Sequence, residues 1–217
     1  MLKAKNLHKS YNSLQVLKGV DLDIARGEMV AIVGASGAGK STLLHILGTL
    51  DRPDSGEMTL DTDEVFSLKD KELTALRNRK VGFVFQFHNL LPEFSALENV
   101  AMPGFIAGLN RKEVEEKASD LLKRLGLADR IHHQPSQLSG GEQQRVAVAR
   151  ALINDPMIIF ADEPSGNLDS VSAEELHQLF LELRDDFGQT FVLVTHNQQL
   201  ADMADRKLVI ADGKILP

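Results

Sequence analysis

The 217-residue sequence has no cysteine, no tryptophan and one tyrosine, Tyr11. Without thiols there is neither a disulfide framework nor a thiolate metal site, which fits a reducing compartment and makes the cytosol the default expectation. The sequence also lacks an excess of positive charge: 24 Lys and Arg stand against 31 Asp and Glu, for a net charge of −7. No chain-wide basic field attracts a phosphate backbone, so nucleic acid is not an expected partner. Long apolar runs are missing too. Uninterrupted apolar runs such as "MIIF" at 157–160 fall far short of the ~20 residues a membrane-spanning helix needs. The N-terminal "MLKAKNLHKSY" has no apolar core before a small-residue cleavage site, so no secretory signal is expected. If the protein works at a membrane, another chain spans it.

What is present describes a globular chain. Hydrophobic residues make up 43% and charged residues 25%, enough for one domain with a helical insertion and tight for two. "GEMVAIVG" at 27–34 is an apolar, β-branched run ending in glycine, followed by "KSTLLHILGTL" at helical spacing. "VGFVF" (81–85), "MIIFADEP" (157–164) and "TFVLVTH" (190–196) repeat the pattern of a buried strand with polar residues at its C-terminal end. Ligand chemistry in open α/β sheets gathers at such ends. Earlier segments, "LKAKNLHKSY", "GVDLDI" and "GEMTLD", alternate or carry turn signals and predict an antiparallel β portion. From Ala96 to Leu127 the spacing turns helical, with Val114, Ala118, Leu121, Leu122 and Leu125 on one face.

Gly34, Ala35, Ser36, Gly37, Ala38, Gly39, Lys40, Ser41 and Thr42 read "GASGAGKST" and satisfy G-x-x-x-x-G-K-[ST] between a strand and a helix. Glycines there let backbone N–H groups turn toward phosphate oxygens, and the helix N-terminus adds about half a positive charge. Lys40 is placed to reach β- and γ-phosphate oxygens and Ser41 to ligate Mg2+. Asp162 and Glu163 end the strand "MIIFAD" and supply the complement: Asp162 would hold Mg2+ through water, and Glu163 would orient or activate the attacking water. An acidic pair after a strand also caps helices, a reading weakened by the nearby phosphate loop. Gln86 and His196 each end an apolar strand, and the His196 ring would donate to a γ-phosphate oxygen. Tyr11 offers an aromatic face for an adenine ring, or simply packs within a strand. A second glycine-rich helix start, "LSGGEQQR" at 138–145, has no role in a one-chain phosphate site.

Tyr11, "GASGAGKST", Gln86, "LSGGEQQR", "ADEPSGNLD" and His196, in that order, closely resemble the motif set of an ABC transporter ATP-binding subunit over essentially the whole chain. The resemblance implies an α/β fold with a P-loop NTPase core, a mainly parallel sheet, an N-terminal antiparallel β portion and an inserted α-helical subdomain. The single domain would span 1–217, with the core at 1–86 and 155–217 and the helical subdomain at 87–154. It further implies ATP and Mg2+, hydrolysis to ADP and phosphate, catalytic roles for Glu163, His196 and Gln86, and a metal site at Ser41, Gln86 and Asp162. Ser139, Gly140 and Gly141 would contact ATP held by a second such subunit, itself or a paralogue, in a head-to-tail pair, and Asp169 would lie in the loop crossing to that site. Integral membrane permease subunits are the implied partners, at the cytoplasmic face of a bacterial inner membrane.

"LRNRKVGFVFQ" and "LLPEFSALENVAMP" resemble the lipoprotein-releasing branch of this family, which moves lipoproteins from the inner toward the outer membrane. Macrolide-export and cell-division ATPases share "LRN" and "GNLD" and are the alternatives; a soluble ATPase acting on nucleic acid fits the charge poorly. Ser165 stands where threonine is commoner in the family, and "GNLD" where "SALD" is frequent. The sequence stops soon after "LVIADGKILP", so no appended regulatory domain is expected.

Overall fold

In the computed structural model, which describes residues 1–216, the apolar run at 29–33 becomes strand β3 (Met29–Val33), buried along nearly its full length. It lies between two parallel neighbours, β8 (Thr190–Val194) and β9 (Arg206–Ala211). Beyond β8 come β7 (Ile158–Asp162) and β6 (Val81–Phe85), also parallel, and β10 (Lys214–Ile215) closes the other edge antiparallel to β9. The sheet order is β10-β9-β3-β8-β7-β6. Chain-distant strands thus become neighbours, and their C-terminal ends form one edge: Ile32 is level with Val194, Val194 with Asp162, and Asp162 with Phe85.

Alternate residues of each strand enter two hydrophobic layers, as the two-residue strand period requires. Ile158, Phe160, Val192 and Val194 face the layer shared with α1 (Lys40–Leu47) and with a four-stranded antiparallel sheet. That sheet runs in the order β2 (Leu14–Ile24), β1 (Leu2–Tyr11), β4 (Ser55–Leu60), β5 (Asp63–Glu64). Ile159, Ala161, Phe191 and Leu193 face the opposite layer, built from α3 (Ala96–Ile106), α4 (Arg111–Arg124), α5 (Gly140–Leu152) and α6 (Ser170–Phe187). Helix α2 (Asp70–Lys80) precedes β6, and short α7 (Gln198–Asp202) precedes β9.

The helical face read at 114–125 is the buried one, with Val114, Ala118, Leu122 and Leu125 enclosed and Leu121 partly so. Two capping boxes begin α3 and α5: Ser95 pairs with Glu98 and Ser139 with Glu142, each serine oxygen accepting the backbone N–H three residues on. Each cap contributes about 1 kcal/mol. The second fixes where the "LSGGEQQR" helix starts. Among the described residues no helix is long and apolar enough to cross a membrane.

Candidate functional site

The loop from β3 to α1 turns on glycines in backbone conformations that other residues rarely adopt. Gly37 and Gly39 have φ of +77° and +103°. A Cβ on Gly34 would come within 2.2 Å of the Ile210 carbonyl oxygen on β9. Lys40, 6% exposed, folds back so that Nζ donates to the carbonyl oxygens of Gly34 at 2.9 Å and Ala35 at 3.0 Å. An ammonium enclosed against carbonyls rather than a carboxylate still lacks its counter-charge. A phosphate in the loop supplies it, so the residues present fit a nucleotide triphosphate.

One residue into α1, Ser41 Oγ donates to Asp162 Oδ1 at 3.2 Å across the end of β7. Hydroxyl and carboxylate oxygens are ligands suited to Mg2+ shared with substrate phosphates. His45 Nε2 lies 3.8 Å from Asp162 Oδ2. The i, i+4 spacing from Ser41 to His45 puts both on one helix face, a signal available in the sequence but unused.

Glu163 follows Asp162 with φ +47°, left-handed for a residue with a long side chain. Such a conformation costs on the order of 1–3 kcal/mol. It is held by the Glu163 N–H donating to the Val194 carbonyl at 2.8 Å and by the His196 N–H donating to Glu163 Oε2 at 3.0 Å. Oε1 is buried without a hydrogen bond; His196 Nε2 lies 3.3 Å away, within ion-pair distance but off the hydrogen-bond direction. This carboxylate oxygen has no hydrogen-bond partner, and it becomes reachable by a small molecule once the His196 ring swings off it.

Gln86 reaches the same edge, but its side-chain hydrogen bond goes to Asn167 and not to Ser41 or Asp162. Its Nε2 donates to Asn167 Oδ1 at 2.9 Å, and Asn167 Nδ2 donates back to the Gln86 carbonyl at 3.2 Å. A Cβ on neighbouring Gly166 would lie 2.9 Å from that Nε2. Of the three residues expected at the metal, the structure joins two, and the third is tied to the loop after Glu163. Asn167 was not singled out from sequence.

Tyr11 is 46% exposed, with its hydroxyl donating to Asp51 Oδ2 at 2.7 Å. That hydrogen bond raises the phenol pKa above its usual value. Lys9 Nζ bridges to Asp51 Oδ1 at 2.8 Å and lies 5.1 Å from the ring centroid. The ring is therefore braced rather than packed away. Lys9 and Asp51 are a support that sequence reading missed.

Ser139, Gly140 and Gly141 form a separate patch at the start of α5. Asp169 caps the neighbouring α6, its Oδ1 accepting the Val171 and Ser172 N–H groups and its Oδ2 accepting the Ser172 hydroxyl. The Ser172 hydrogen bonds hold the Asp169 carboxyl below its usual range. A Cβ on Gly141 would lie 2.8 Å from Ser172 Oγ, so the two helix N-termini meet only because Gly141 lacks one. Two positive helix ends thus lie side by side, and none of their described hydrogen bonds goes to residues 34–42.

A family model described as ABC transporter matches residues 17–166. The chain belongs to this family. Among ABC relatives, the lipoprotein-releasing system ATP-binding protein LolD of Cytophaga hutchinsonii is 62% identical, covering 100% of this chain and 99% of that one. The protein of the same name from Bacteroides thetaiotaomicron is 60% identical, covering 99% of each. A dimeric bacterial ABC transporter cassette superposes with a TM-score of 0.91 at 44% identity, covering 100% of this chain and 97% of that one. A dimeric post-hydrolysis cassette bound to ADP and phosphate gives 0.91 at 43% identity over the same shares. The α/β ABC ATPase fold read from sequence is the fold observed.

Proposed function

We propose that this ABC subunit hydrolyses ATP as half of a head-to-tail pair and powers membrane permease partners in releasing lipoproteins from a bacterial inner membrane toward the outer membrane. The observation that carries the reading is the division of phosphate-seeking groups into two patches of one chain: Lys40 with the loop at 34–42, and the helix start at Ser139–Gly141. A second copy, facing the first, brings the helix start of one to the loop of the other.

In the closed pair, Lys40 exchanges its two carbonyl partners for β- and γ-phosphate oxygens. Ser41, and Asp162 through water, would hold Mg2+, which would supply charge neutralisation at those oxygens. Glu163 Oε1 takes a proton from the attacking water, while the His196 N–H holds the other carboxylate oxygen in place. His196 Nε2 turns to a γ-phosphate oxygen. Gln86 leaves Asn167 to reach the metal and the water. The Tyr11 ring stacks on the adenine. Ser139, Gly140 and Gly141 of the facing copy close on the γ-phosphate, and Asp169 lies beside them at the interface. Loss of that phosphate removes the contacts that favour the closed pair.

Lipoprotein release rests on the relatives named above and on the segment after Gln86. There Phe87 is 69% exposed and Leu91 and Phe94 are partly exposed. A neighbouring groove of about 380 Å³, lined in part by Arg77, Phe85, Pro103, Ile106 and Arg150, would seat a permease helix at the cytoplasmic face of the membrane.

Sizing Glu163→Gln with saturating ATP and Mg2+ tests the pairing: an ATP-dependent dimer is expected, and only monomer would count against it. Depleting the protein tests the cargo. Lipoproteins should then stall in the inner membrane; normal sorting would remove this assignment.

A further inference from the structure

Gln144 lies one turn into α5, just behind Ser139–Gly141, with no solvent exposure. Its Nε2 donates to the Phe85 carbonyl at 3.1 Å and the Pro164 carbonyl at 2.7 Å. Phe85 immediately precedes Gln86, and Pro164 immediately follows Glu163. Both partners are carbonyl oxygens, so only the amide's NH2 can serve them, and the orientation of the side chain is fixed by its neighbours. Its own Oε1 is buried without a partner. Without that amide the Phe85 and Pro164 carbonyls would each lose a donor, so the side chain holds these two loop ends at the expense of its own unpaired oxygen. Its two donors are what the site uses.

The same helix grips the far side of Gln86. Arg150 donates to the carbonyls of His88 at 2.8 Å and Asn89 at 2.7 Å. Between these anchors Val146, Ala147, Val148 and Ala149 are fully buried, so α5 is a packed rod joining its N-terminal glycines to the catalytic edge.

We infer that Gln144 is a positioning residue that ties α5 to its own chain's Gln86 and Glu163, so that engaging the facing copy's nucleotide sets the geometry of the chain's own hydrolytic groups. This rests on the paired ATPase reading above. Each site then hydrolyses fully only when the helix of the same chain is seated on the other nucleotide, which makes turnover cooperative.

The test uses the full chain with ATP and Mg2+, measuring kcat, KM, Hill coefficient, affinity for a fluorescent ATP analogue and melting temperature. Gln144→Met keeps the shape and loses both donors. Its kcat should fall on the order of tenfold, as expected for displaced catalytic groups, with the Hill coefficient moving toward one and analogue affinity unchanged. Gln144→Glu adds a pH readout, taken with the melting temperature at each pH so that loss of the fold is scored apart from loss of kcat. Facing two carbonyls, its carboxyl favours the protonated form, which can donate one hydrogen bond. Its kcat relative to wild type should therefore rise as pH is lowered from about 8.5 to about 6.5.

Wild-type kcat and Hill coefficient in Gln144→Met would overturn the inference, as would a parallel loss of kcat, analogue affinity and melting temperature. If Gln144→Met does not fold, Gln144→Glu decides, and a pH-independent ratio overturns it. A wild-type chain that hydrolyses no ATP removes the paired ATPase reading, and the inference with it.

Discussion

Glu163 and His196 meet across the ends of β7 and β8, with Oε1 3.3 Å from Nε2 and the His196 N–H on Oε2 at 3.0 Å. The pair exists because Asp162 is level with Val194, which brings the residues just beyond each strand together. If they act as one unit, their substitutions are not additive. Glu163→Gln should lower kcat by about 10²-fold or more, His196→Ala should lower it as well, and the double variant should be no worse than Glu163→Gln. Steady-state kinetics of the three variants check this; fully multiplicative losses would mean independent roles.

Lys40→Ala removes the enclosed ammonium that now has only carbonyl partners. ATP affinity should fall about tenfold or more, the scale of a lost charge-assisted contact to phosphate. Titration with a fluorescent nucleotide measures it. Unchanged affinity would refute the role of the lysine.

Tyr11 and its brace separate by substitution. Tyr11→Ala should weaken ATP binding by about 1–3 kcal/mol, the usual range for base–aromatic stacking, whereas Tyr11→Phe should stay near wild type. Asp51→Asn should fall between them, because it weakens the bridge from Lys9 without removing the ring. Equal affinity in Tyr11→Ala and wild type would place the adenine elsewhere.

His177 on α6 is buried, with Nε2 3.0 Å from Ser165 Oγ and Nδ1 without a partner. Burial pushes its pKa below the ordinary 6.5. The unfolded chain therefore takes up a proton first as pH falls, and stability rises with pH through this window and is lost below it. Melting temperature should fall between about pH 7.5 and about pH 5.5, less steeply in His177→Gln, which does not titrate. Identical slopes would assign the effect to other groups, such as His88, whose pKa burial also lowers.

The strands and helices that carry the site were legible because each announces itself locally. Buried parallel strands read as apolar runs, and Lys40, Ser41, Asp162, Glu163 and His196 stand at their ends. Strand β9 was not read as a strand: its exposure alternates and it gains a place in the sheet only beside β3. What escaped entirely were contacts between residues far apart in sequence. Tyr11 and Asp51 are 40 positions apart, Gln86 and Asn167 81, and neither pairing leaves a periodic mark. Ser165 was noted as a departure from the common threonine, but its partner His177 emerged only when α6 folded back over the loop.

The separation of the phosphate loop from the Ser139–Gly141 helix start reaches beyond one molecule to the population of molecules in a cell. If every site takes half its walls from another copy, a defective copy disables whatever it pairs with. Equal expression of intact and Glu163→Gln chains, pairing at random, would leave only about a quarter of the pairs wholly intact. Such an allele would behave as dominant, and overproducing the normal protein would dilute its effect.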